Sequence, residues 1–225
     1  MALTNRQIER YSRQLIVKDF GGIAQERLLA ARVLLLGDYA DTGVLAYLAG
    51  AGVGHLDLRA DLDRAASANL IARMRDLNPD SIVRVVSESR GFAEFDLALI
   101  LANDEAMLDQ ARTLCDRRTN GADHFGIILA RLDMPPRIAV IPRCPPCPQC
   151  TSAGDLLGPV GARADNAGFV ASLAALEAIK LLARFVPAPK PSLIEFRGYE
   201  TSAHIIDSAP GSNCTCSAIQ AAGRS

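Results

Sequence analysis

The stretch ARVLLLGDYADTGVLAYLAGAGVGHLDLRAD, residues 31–61, constrains the fold more than any other part of the chain. Val33 to Leu36 is an uninterrupted apolar run stopped by Gly37, which marks a strand buried on both faces of a parallel sheet. From Gly43 to Ala51 the chain reads as an apolar helix, and Gly52-Val53-Gly54 turns it into a second strand, Leu56 to Arg59. Strand, glycine turn, helix and strand within about thirty residues make a βαβ unit.

The alternation continues. A helix is expected over Ala65–Leu77, ended by Asn78-Pro79 because proline disfavours the helical conformation in the residue before it. Strands are expected at Ile82–Val86, Leu97–Leu101 and Gly126–Leu129, with a helix at Glu105–Arg117 between the last two. A further strand follows at Ile138–Ile141, then a cysteine- and proline-rich cluster, an apolar helix at Phe169–Phe185, and a hairpin of Ser192–Phe196 and His204–Ile206. Ahead of all this, Ile8, Tyr11, Leu15 and Ile16 have the helical period in a segment that Thr4 or Asn5 can cap; Gly21-Gly22 breaks it and a second helix runs Ile23–Ala31. The fold class is therefore α/β: a Rossmann-like mixed sheet with helices on both faces and a C-terminal hairpin. The expected division is a helical segment 1–31, a Rossmann-like half 32–135, a C-terminal half 136–216 and a disordered tail 217–225.

Charge and composition narrow the function. The 225 residues hold 24 Lys+Arg against 25 Asp+Glu, a net charge of -1, which argues against the basic surface that nucleic acid requires. No apolar run is long enough to predict a membrane span. The first twenty residues carry Arg6, Glu9, Arg10, Arg13 and Lys18 and no apolar signal core, so a cytoplasmic setting is expected.

In that setting, clustered cysteines read as metal ligands. Cys147-Pro-Gln-Cys150 has the spacing that turns two thiolates toward one ion, and Cys214-Thr-Cys216 supplies a second pair for a tetrahedral zinc, with Cys144 as an alternative ligand. Four sulfur ligands leave no place for water, so the expected zinc is structural and ties the hairpin to the sheet. Free thiols are the competing reading. Cys115 has no local histidine partner, and His55, His124 and His204 are dispersed; none is assigned a catalytic role. Arg6, Arg10 and Arg13 line one helix face, either as a solvated basic face or as an anion contact to a neighbouring subunit.

The turn after the first strand is where a nucleotide phosphate would rest. It reads Gly37-Asp38-Tyr39-Ala40-Asp41-Thr42-Gly43; Gly37 and Gly43 suit a phosphate loop, whereas Asp38 and Asp41 oppose a polyanion. A structural loop and a working nucleotide loop both remain open readings.

Taken in order, RYSRQLIVKDFG, ARVLLLG, AGAGVGHLDL, CPQC, LEAIKLLA and the C-terminal cysteine pair resemble the ThiF/MoeB family, bacterial relatives of the ubiquitin-activating enzymes, from Glu9 to Cys216. The resemblance implies a Rossmann-like nucleotide half, dimeric packing and a structural Cys₄ zinc. It implies an activity in which the C-terminal carboxylate of a ubiquitin-like carrier attacks the α-phosphate of Mg-ATP, giving an acyl adenylate and pyrophosphate. Some relatives activate or bind peptides instead. Arg13 matches the family arginine that reaches across a dimer interface into the partner's ATP site.

Elsewhere the chain departs from the family pattern. Its phosphate loop lacks the glycines, and Asp61 stands one place out of register from the acid that should hold the ribose. Ala66 falls where a phosphate-contacting lysine aligns, and Asn103, with Asp104 beside it, falls at the metal-binding aspartate. Residues 161–165 hold no thiol. Neutralising a triphosphate without these charges is difficult. The leading expectation is a catalytically reduced subunit that forms a homo- or heterodimer with a ThiF/MoeB-like protein and lends it Arg13, with a carrier or peptide C-terminus as the shared partner. The alternatives are an active, divergent adenylyltransferase using Asp41, Asp61 or Asp104 in shifted roles, and a non-enzymatic peptide-recognition module.

Overall fold

A computed structural model describes residues 2–37, 43–60, 62–86, 95–102, 106–107, 126–131, 135–142, 167–185, 189–197 and 200–206. One eight-stranded sheet organises them, in the order β3-β2-β1-β4-β5-β6-β7-β8. Its strands are β1 (Arg32–Gly37), β2 (His55–Arg59), β3 (Ile82–Val86), β4 (Leu97–Ala102), β5 (Gly126–Arg131), β6 (Arg137–Ile141), β7 (Ser192–Arg197) and β8 (Glu200–Ile205). Neighbours from β3 to β5 are parallel and those from β5 to β8 antiparallel.

The parallel strands read as continuous apolar runs because both their faces are covered. All six residues of β4 are buried, as are Val33 to Leu36 of β1. One set of alternate residues, including Leu35, Leu56, Leu99, Ile128 and Val140, joins the helices α3 (Gly21–Ala30), α4 (Val44–Ala51), α5 (Arg64–Leu77) and α6 (Ala167–Leu182) in a single core. The other set, including Leu34, Leu36, Ile100 and Leu129, is buried as well. Each such leucine contributes about 1.5–3 kcal/mol relative to exposure. In α6, Ala171, Ala174, Ala175 and Ala178 recur at helical spacing and are buried; their small side chains let it lie close on α4 and the sheet. The helix expected at Glu105–Arg117 lies outside the described residues.

Two expectations shift. The Gly21-Gly22 pair does not end the N-terminal helical segment but opens α3, where first-turn N–H groups need no helical partner. The interruption comes earlier: α1 (Asn5–Arg10) and α2 (Ser12–Leu15) meet at Tyr11, and Asp19 turns the chain with φ 65°. Thr4 caps α1 in a reciprocal box with Gln7. The last strand also begins earlier than its apolar residues suggest, because Arg197 pairs with Glu200 across a two-residue connection.

Candidate active site and the N-terminal anchor

The strand order reverses between β1 and β4, so the crevice at their carboxyl ends is where an open α/β sheet receives a ligand. The register places Gly37 beside Leu101, Arg59 beside Leu36 and Arg131 beside Ala102. Gly37 has φ 119°, and a Cβ there would overlap the Leu101 carbonyl oxygen, so glycine lets β1 and β4 run together to this edge. Gly43 opens α4 with φ 71°. The loop between these glycines, with Asp41, lies outside the described residues, as do Asp61, Asp104, Cys115, Cys144, Cys147, Cys150, Cys214 and Cys216. Among the described residues no group of three or more His, Cys, Asp or Glu side chains is placed to hold a metal.

Cations mark the strand ends at this edge. Arg59 is the last residue of β2 and half-buried. Arg131 closes β5 and ranks among the largest completely buried side chains. The sequence reading overlooked Arg131, although a lone arginine ending the run GIILAR was the available signal. At the start of α5, Asp63 caps the helix by accepting the Ala66 N–H at 2.7 Å, and the Ala66 methyl is exposed. That carboxylate is thus engaged with the first turn of its own helix.

The opposite edge of the sheet holds the N-terminal segment. Tyr11 is buried, and its hydroxyl accepts from Asn78 Nδ2 at 2.9 Å and donates to Asp80 Oδ2 at 3.1 Å. Asn78 Nδ2 also donates to the Ala49 carbonyl at 2.6 Å, which Ser81 Oγ meets at 3.1 Å. Asn78 Oδ1 accepts from the Asp80 N–H at 3.1 Å, and Arg10 pairs with Asp80. Burial pushes the Tyr11 phenol up, with the Asp80 carboxylate adding to the shift while the Asn78 bond opposes it, so the hydroxyl stays neutral and able to donate. Buried Gln25 adds a bond to the Ala51 carbonyl at 3.0 Å.

These contacts fix where Arg13 sits. Asn78 follows the last residue of α5, just before β3 begins, so the anchor belongs to the amino-terminal edge of the strands. Arg13, exposed on α2 and two residues from Tyr11, is held near that edge. The crevice lies at the other end of α5, whose 14 residues span about 21 Å at a rise of about 1.5 Å each.

No protein-family model matches the chain. Among curated proteins, the molybdopterin-synthase adenylyltransferase of Escherichia coli is 30% identical over 218 residues, covering 81% of this chain and 85% of the relative. The chain belongs to the ThiF/MoeB family. The sulfur carrier protein ThiS adenylyltransferase of the same bacterium is also 30% identical, over 80% of this chain and 83% of its own length. The adenylyltransferase and sulfurtransferase uba4 of Aspergillus niger is 30% identical over 88% of this ThiF/MoeB chain, which spans 50% of that longer relative. Of solved structures, Escherichia coli MccB in complex with AMPCPP and MccA shares the fold with a TM-score of 0.65 at 17% identity, covering 91% of this chain and 73% of MccB.

Proposed function

We propose that this ThiF/MoeB chain serves a system that activates the C-terminal carboxylate of a carrier protein or peptide by adenylation, as a catalytically reduced subunit lending Arg13 to a partner's active site. The separation between the Tyr11 anchor and the chain's own crevice carries this reading. An exposed arginine held at the amino-terminal edge is poorly placed to serve an ATP site about one long helix away, and well placed to meet a second subunit. The start of α5 supports the reduction. The resemblance assigns Ala66 to a phosphate-contacting lysine, and this residue offers only a methyl.

The relatives' names support the chemistry: two are adenylyltransferases of sulfur-carrier or molybdopterin pathways. With Mg-ATP, the site would join a nucleotide to a carboxylate. Gly37 and Gly43 would shape the loop under the phosphates and Arg59 would add positive charge at its rim. Glycines kept with left-handed φ at both ends of the loop favour the second reading, an active but divergent adenylyltransferase with Asp61 and Asp104 as ribose and Mg²⁺ ligands. The donor set Cys147, Cys150, Cys214 and Cys216, four thiolates in two close pairs, fits a structural zinc in either case.

ATP–pyrophosphate exchange separates the two readings. The chain alone should be inactive and should stimulate a ThiF/MoeB-like partner in the presence of carrier, and Arg13→Ala should remove at least about tenfold of that stimulation while leaving the complex intact. Full exchange activity by the chain alone, lost on Asp104→Ala, would establish the second reading and sink the first.

A further inference from the structure

A nucleotide seated over the turn between β1 and α4 brings its ribose to the end of β2, and the residue found there selects the ribose. A carboxylate accepts hydrogen bonds from free ribose hydroxyls, whereas an arginine accommodates a phosphate carried on the ribose. Here β2 ends in Arg59, and Ala60 follows it.

The surroundings of Arg59 suit the phosphate. It stands in register with Leu36, one residue before Gly37, and neighbouring strands lie about 4.8 Å apart, so its side chain starts beside the turn that receives a 5′-phosphate. It is half-buried, and among the described residues no carboxylate pairs with it. Asp57, two residues earlier on the same face, is in register with Arg84 of β3. Asp63 spends its carboxylate on the first turn of α5. A partly desolvated guanidinium without a counter-ion is costly until an anion meets it.

The order of charges along the sequence points the same way. Asp38 and Asp41, between Gly37 and Gly43, oppose a triphosphate on the loop, while Arg59 supplies a cation at the ribose end.

We propose that this crevice binds a nucleoside 5′-phosphate that carries a second phosphate on its ribose, with Arg59 as the ligand of that phosphate through charge-assisted, bidentate hydrogen bonds. The nucleotide is held and not consumed. The inference rests on the reading of this chain as a reduced subunit, since a crevice that adenylated carboxylates would need ATP, whose ribose bears no phosphate.

Three isomers test it: adenosine 2′,5′-bisphosphate, adenosine 3′,5′-bisphosphate and ADP each carry two phosphates on one adenosine, so only the position of the second phosphate differs. In calorimetric titrations of the full chain, one ribose-phosphorylated isomer should bind at least about tenfold more tightly than ADP, and its identity distinguishes a 2′- from a 3′-phosphate ligand. Arg59→Ala should abolish that preference and leave ADP affinity within about twofold, while Arg59→Lys, which keeps the charge but loses the fork, should retain part of it. Circular dichroism confirms that each variant folds. ADP binding as tightly as both isomers, no binding of any probe, or a preference that survives Arg59→Ala overturns the proposal. ATP–pyrophosphate exchange on the same preparation keeps the two ideas apart: stimulation of a partner without the preference overturns the ribose-phosphate site alone, and the preference without stimulation overturns the role in a partner's active site alone.

Discussion

Tyr11 and Asn78 each do more than their place in a helix pattern suggests. In sequence, Tyr11 reads as one apolar position of an N-terminal helix and Asn78-Pro79 as the stop of another; nothing local says that they touch, because 67 residues separate them. Their contact is a satisfied buried polar cluster, and such clusters fail when one member is removed. Asn78→Ala strips a bond from the Tyr11 hydroxyl, one from the Ala49 carbonyl and the turn bond to the Asp80 N–H. It should cost about 2–3 kcal/mol, read as a lower urea midpoint at unchanged slope. Arg10→Ala, removing a partly exposed ion pair, should cost less than about 1 kcal/mol.

Elements were legible where the chain gave them an unbroken apolar run. Ile82–Val86 matches its expected bounds, and the runs of β1, β4 and β5 declare strands buried on both faces. Edge strand β8 was half missed, since a solvated edge imposes no apolar alternation on ETSAHI. The junctions between elements were least legible. Gly54 was read only as part of a turn, yet it joins three elements: its N–H donates to Leu28 of α3 at 2.9 Å, and its carbonyl accepts from Ile82 at the start of β3. A Cβ at Gly54 would overlap the Leu29 carbonyl oxygen. Gly54→Ala should therefore cost about 3 kcal/mol by forcing α3 away from the sheet, where Gly50→Ala, with open space around it, should not destabilise; thermal melts of the two variants check the contrast.

At the scale of the whole molecule, the sheet changes character at β5, parallel on one side and antiparallel on the other. The parallel half was readable as βαβ repeats, and the switch point that places the crevice follows from it. What sequence alone left unread is the relation between the two edges of the sheet, because it depends on long-range contacts: the anchor stands at the amino edge and the crevice at the carboxyl edge. Among the described residues no helix is long and apolar enough to cross a membrane. The proposed zinc acts at the same scale, stapling the segment around Cys147 and Cys150 to the chain beyond β8. The purified protein should carry about one zinc per chain. Cys147→Ser should release it and lower the melting temperature, at roughly 2–4 °C per kcal/mol for a chain of this size. Unchanged metal content and melting in that variant would remove the staple from the account.

The anchor has one further consequence, for inheritance. A descendant that replaces Tyr11 leaves Asn78 with a buried amide short of a partner, and one that replaces Asn78 takes from the Tyr11 hydroxyl the donor it accepts from and from the Ala49 carbonyl one of its donors. The RYSRQ and LNPD motifs are therefore bound to a common fate, and the position of Arg13 is kept by a tyrosine that need never touch a substrate.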